Sequence, residues 1–241
     1  MQAGDFVVRK KYHRDIVFVI DRIEQDTAYL MGVEIRLLAD SPLDDLEPAA
    51  YQARPIINES RLCLDNQVLK GKILHIDGDE RYLEMCLDKY QELGIRVHGY
   101  YLKEGVMAAS VYQLLEHHRP DLLVITGHDA RNEQDQYSHS DDFVNTVRQA
   151  RRYESDKDRL IIFAGACQSN YEHLIAAGAN FASSPSRVNI HALDPVYLMS
   201  QVASVNVKNY VDIERIADNT SCKLKGIGGI DTKGVARKIY P

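Results

Sequence analysis

The chain has 241 residues, 45% hydrophobic and 27% charged, which is ordinary for a globular protein of one large domain or one medium domain with a small appendage. With 29 Lys and Arg against 35 Asp and Glu, the net charge of −6 argues against a nucleic-acid-binding surface over the whole molecule. Four dispersed cysteines (Cys63, Cys86, Cys167 and Cys222) with no CxxC pair form neither a disulfide framework nor a zinc site.

The opening MQAGDFVVRKKYHRD lacks the apolar stretch of a secretory signal, and no apolar run approaches the ~20 residues of a membrane span. Both predict a soluble protein of a reducing compartment. Residues 4–47 read as short strands, DFVVRK, DIVFVIDRIEQ, TAYLMGV and EIRLLAD, with period-two alternation and turns at Gly32 or Asp/Ser clusters. The expectation is a small SH3-like barrel over residues 1–47. Residues 48–71, with Pro48, Pro55 and no sustained period, read as a linker.

From Lys72 the texture changes. KILHIDGD, IRVHGYYL, DLLVITG and LIIFAG are apolar strands. Each is followed by a helical pattern: ERYLEMCLDKYQELG capped by Gly94, ASVYQLLEHHR ended by Pro120, HSDDFVNTVRQARR, and SNYEHLIAAG closed by Gly178. Four strand–helix units with near-continuous apolar strands predict a parallel sheet covered by helices on both faces, a three-layer α/β domain over 72–241. In such sheets ligands and catalytic groups gather beyond the carboxyl ends of the strands. Asp77, Asp79, His128, Asp129 and Cys167 all fall there.

Two of these groups form a chemical pair. A thiolate is the nucleophile, and a free cysteine is mostly protonated at neutral pH unless an imidazole or a helix N-terminus activates it. Cys167 lies between a strand and the start of a helix, and His128 ends the preceding strand. Alone, each residue would read as an ordinary buried or surface side chain. At successive strand ends they become a candidate Cys–His dyad, with backbone N–H groups around 167–169 as a candidate oxyanion hole. Cys86 falls on the apolar face of its helix and reads as core. The polar stretch SSPSRVNIHALDPVYL, at 183–198, reads as a loop lining the site. The Gly-rich GIGGIDTKGVAR matches no phosphate-binding loop, and no cofactor is expected.

GKILHIDGDERYL, DLLVITGHDA, FAGACQSNYEHLIAAGANFASSPSRVNIHALDPVY and the closing GIGGIDTKGVAR resemble the YabG family of sporulation-specific proteases of endospore-forming bacteria. The resemblance runs from end to end, and the chain is shorter between the N-terminal module and KILHIDGD than family members can be. It implies a self-processing cysteine endopeptidase that cleaves next to Arg. The implied substrates are spore coat and cortex-associated proteins, and the implied location is the mother-cell cytoplasm and then the coat. Carried onto this chain, Cys167 is the nucleophile and His128 the base, with no metal required. More distantly, the two strand ends resemble caspase, gingipain and separase proteases, a likeness that leaves calcium dependence open. There the usual order is His-Gly; here it is Gly127-His128, which displaces a usual oxyanion donor and leaves Gly127, Cys167 and Gln168 as candidates.

An Arg pocket needs a carboxylate at its base. Asp77 and Asp79 are the first candidates, then Asp194, then Asp129. Arg54 and Arg61 in the linker become candidate self-cleavage sites. Two rival readings stand beside this one. An amidotransferase-like thiol amidase would show G-x-C-x-G, but Ser169 follows Cys167 at the second glycine position. A flavodoxin-like coat scaffold would carry Cys167 as a buried, inert thiol.

Overall fold

The computed structural model describes residues 1–50, 68–132, 134 and 136–240. The N-terminal part is an antiparallel sheet of β1 (Phe6–Arg9), β2 (Val17–Glu24), β3 (Thr27–Gly32), β4 (Leu38–Pro42) and β5 (Leu46–Pro48), in the order β4-β3-β2-β1-β5. The alternation in β2 and β3 sends Phe18, Ile20, Ala28 and Leu30 to one face, where they pack with Val7 and Leu46. One expectation is corrected here. EIRLLAD is not a continuous strand: β4 begins only at Leu38, and 33–37 form a loop closed by the Gly32 N–H donating to the Leu37 carbonyl (2.9 Å).

The expected linker also carries structure at both ends. Pro48 ends β5, and β6 (Val68–Leu69) pairs antiparallel with β13 (Arg237–Lys238) near the C-terminus. Arg54, Arg61 and Cys63 lie outside the described residues.

The second sheet contains β7 (Ile73–Asp77), β8 (Val97–Tyr101), β9 (Leu122–Thr126), β10 (Ile161–Ala164), β11 (Phe181–Ser183) and β12 (Ile227–Gly229), in the order β12-β11-β10-β9-β7-β8. All its pairings are parallel except β11 with β12. The four expected strand–helix units form, with helices α1 (Glu80–Glu92), α2 (Glu104–His118), α3 (Ser140–Tyr153) and α4 (Tyr171–Ala177). Asp79 caps α1 by accepting from the Tyr82 N–H (3.1 Å), and α4 closes on Gly178 in the left-handed region (φ 114°). Helices α2, α3 and α4 cover one face, around Ile76, Leu123 and Ile162. Helices α1, α5 (Asp194–Ser204) and α6 (Ile213–Ala217) cover the other, around Ile73, Val124 and Phe163.

Strand order reverses direction at β7, which lies between β8 and β9. The crevice beyond the carboxyl ends of β7 and β9 is therefore a topological switch point, the expected ligand position in an open parallel sheet. Among the described residues, no helix is long and apolar enough to cross a membrane.

Candidate active site

Three neighbouring strands deliver the site. β10 leads to Cys167, β9 to His128, and β7 ends on Asp77. Asp129 ties the first two loops together. Its carboxylate accepts from the Ala130 and His139 N–H groups and the Ser169 hydroxyl, each at 2.9 Å, and from the Ser140 hydroxyl. Ser169 in turn accepts from the Ala166 N–H (2.9 Å). The loop after β9 and the loop holding Cys167 thus share one buried carboxylate. Asp129 is committed to this hub rather than to a pocket, and burial raises its pKa against those donors. Asp129→Ala is expected to cost about 2–4 kcal/mol in urea titrations, because several buried donors lose their acceptor together.

His128 is buried, and its Nε2 has no hydrogen-bond partner. Asp79 Oδ2 lies 3.6 Å from it and the Tyr82 ring packs against the imidazole. Burial holds the His128 pKa below its ordinary value, despite Asp79. The His128 N–H donates to Glu104 Oε1 (2.9 Å), a carboxylate at the start of α2. A Cβ at Gly127 would stand 2.4 Å from that same oxygen, so Gly127 is small in order to admit Glu104. This gives the inverted Gly-His order a packing reason.

Cys167 is fully buried, and its thiol donates to the Ile190 carbonyl (3.5 Å). Burial pushes its pKa up to about 12, against contacts from the Ile190 and Arg36 backbones. One expectation is corrected here: the helix begins not at Ser169, close to the thiol, but at Tyr171 behind an Asn170 cap. The thiol makes no hydrogen bond to His128 Nε2. Gln168, next to the thiol, adopts a left-handed backbone (φ 58°) that turns the chain sharply, and its amide donates to Asn189 Oδ1 (3.3 Å).

Asp77 is fully buried and holds a guanidinium. Arg36, from the 33–37 loop, donates through both terminal nitrogens to the two Asp77 oxygens at 2.7 Å. Its Nη2 also meets Cys86 Sγ (3.5 Å), and its guanidinium lies 4.8 Å from the centre of the Tyr82 ring. Asp77 Oδ2 further accepts from Thr126 Oγ1 (2.9 Å), which bonds His75 Nε2 (2.7 Å). Burial alone would raise the Asp77 pKa, but Arg36 and His75 outweigh it and hold the carboxyl well below its usual range. His75, Asp77 and Cys86 carry potential metal-ligand atoms within 4.8 Å of one another, but the cation between Asp77 and Cys86 is Arg36. Cys86 is core, as expected, and burial pushes its thiol to about 12.

The remaining carboxylate candidates lie elsewhere. Asp79 caps α1 and faces His128. Asp194 accepts from the His191 N–H (3.1 Å) and from both the N–H (3.0 Å) and hydroxyl (2.5 Å) of Ser221, and so fastens the 189–194 loop. Arg36, Glu104, Tyr82 and Ser169 carried no signal that marked them out. Arg36 was one charge inside an apparent strand.

These pKa directions fix how stability varies with pH. His75 and His128 are held below their unfolded values, so the folded state resists protonating them. Stability from these groups is full above about pH 6.5 and falls as pH drops below it. The Asp77 contribution is lost only later, below about pH 4. Urea midpoints measured from pH 7.5 down to about pH 2 should therefore fall in two stages.

A family model described as YabG peptidase U57 matches residues 2–62 and 64–241. The chain belongs to this family. It is a protease. It is also 42% identical, over 283 aligned residues, to the sporulation-specific protease YabG of Bacillus subtilis (strain 168). That alignment covers 100% of this chain and 98% of the relative. The YabG family match spans both sheets and includes the Asp77, His128 and Cys167 strand ends.

Proposed function

We propose that this sporulation protease is an Arg-directed cysteine endopeptidase, with Cys167 as nucleophile, His128 as general base and Asp77 at the base of the Arg pocket. The observation that carries the reading is one arrangement. Cys167 and His128 follow hydrogen-bonded neighbour strands, and the strand beyond ends in a buried carboxylate already paired with a guanidinium. A bidentate Arg–carboxylate pair is the geometry that distinguishes Arg from other side chains.

In the reaction, His128 accepts the thiol proton and Cys167 Sγ attacks the carbonyl carbon of the substrate arginine. Backbone N–H groups among Gly127, Cys167 and Gln168 receive the developing oxyanion. The amine leaves with the proton from His128. Water, deprotonated by His128, then releases the acyl group and restores the thiol. Asp79, beside the imidazole, stabilises its protonated form.

The α/β part, residues 72–241, is read as a caspase-like catalytic domain, and residues 1–47 as an SH3-like module. Spore coat and cortex-associated proteins are the substrates, met in the mother cell and then at the coat. Self-processing at Arg54 and Arg61 belongs to the same reading. It is dropped if blocking both with Ala leaves the fragments unchanged.

The test is turnover of internally quenched peptides that differ only in Arg, Lys or Glu at one position. Arg should be preferred over Glu by about a thousandfold or more. Equal rates for Arg and Glu would overturn the pocket assignment.

A further inference from the structure

The 33–37 loop does more than join two strands. Its main chain lies between loops of the α/β part as an added strand would. Ile35 forms an antiparallel bridge with His191, Leu37 a parallel bridge with Asp129, and the Ala192 N–H donates to the Glu34 carbonyl (2.9 Å). Tyr82 donates its hydroxyl to the Ile35 carbonyl (3.2 Å) and to Gly32. Such main-chain pairing on both sides is how an extended peptide is gripped by a protein that reads one side chain. The side chain at the centre is Arg36, sunk to zero exposure against Asp77, and the backbone of the same residue touches the Cys167 thiol.

We infer that residues 33–37 are a built-in plug: Arg36 fills the pocket that receives the substrate's arginine, and the protease turns over protein only when this segment leaves. This rests on the Arg-directed reading above. Two further observations point to a plug rather than a substrate or a permanent strut. The chain folds back at Arg36, with the Leu37 N–H donating to the Ile35 carbonyl (2.7 Å), whereas a reacting substrate must present its carbonyl in an aligned, attackable pose. Arg36 Nε is buried without a partner, so the pocket does not fully satisfy this occupant.

The full chain would be compared as wild type, Cys167→Ala, Arg36→Ala and the double variant Arg36→Ala/Asp77→Asn, which leaves no unpaired buried charge. Two quantities would be read: initial turnover of Arg and Glu peptides, and the rate of iodoacetamide alkylation at Cys167, with Cys222 as internal reference. Removing the plug is expected to raise Arg turnover in Arg36→Ala, and Cys167 alkylation in both unplugged variants, by at least about tenfold. Unchanged alkylation in both, with Cys167-dependent Arg cleavage by wild type, would make Arg36 a strut and leave the Arg-directed reading standing. Raised alkylation with no preference for Arg in any variant would keep the cover over the thiol but remove the Arg pocket, and the plug with it. No change in alkylation and no cleavage would overturn both.

Discussion

Cys167→Ala is expected to reduce turnover of an Arg peptide by about ten-thousandfold or more, with the fold intact. The loss is large because the thiol forms and releases the acyl bond, and a residue that acts as one unit with its base takes most of the catalysis with it. His128→Ala should lose nearly as much, and the double variant little more than either alone. The fold should survive both, for different reasons. Cys167 contributes only a small side chain to the cluster it shares with Leu37 and Ile190, and His128 Nε2 has no hydrogen bond to lose. Steady-state rates on the unplugged background, with thermal melts beside them, check this. Independent multiplicative losses for the two residues would argue against a dyad.

The second large effect is at Asp77. Asp77→Asn leaves the Arg36 guanidinium buried without a counter-charge, and breaking such a pair from one side costs about 3–5 kcal/mol. A drop of about 10 °C in Tm follows for a chain of this size. Arg36→Ala in the Asp77→Asn background should then recover part of that loss, because the pair is coupled and its two deletions do not add. The same substitution should erase the preference for Arg over uncharged residues, even where the protein is folded. A variant that melts like the wild type would mean that the pair contributes almost nothing net.

Much of this arrangement was legible in the sequence, for a definite reason. The four strand–helix units announce themselves because β7, β9 and β10 are buried on both faces and the helices on one, and periodicity records burial. Gly94 and Gly178 marked helix ends because left-handed backbone favours glycine. Residues beyond the fourth unit were less readable. β11 and β12 are only three residues each, and α5 starts after a polar loop whose Asp194 anchors Ser221. Periodicity needs length, and these elements lack it.

At the site, the strand-end positions of His128, Cys167 and Asp77 were foreseen, but the partnership of Arg36 with Asp77 was not. It joins positions 41 residues apart, one in the loop between β3 and β4 and the other at the end of β7. Local pattern cannot report such a pairing. The 33–37 stretch, rich in apolar residues, reads as strand because it is buried; it is buried in a crevice rather than in a sheet. The burial of Cys167 in one cluster with residues of the N-terminal sheet was not visible, for the related reason that the neighbours of the thiol in sequence do not report it.

The contacts by which the N-terminal sheet holds the crevice are noncovalent, and this sets how the plug behaves once the backbone is broken. While the chain is continuous, the tether keeps Arg36 at an effective concentration of order millimolar, so closure does not depend on how much protein is present. A single break between the two sheets changes the order of the process. Rebinding then becomes a second-order event, and specific activity should climb as a nicked sample is diluted, while an uncut sample stays flat. Such a protease would be quiet where it is packed densely and would awaken as its two halves drift apart.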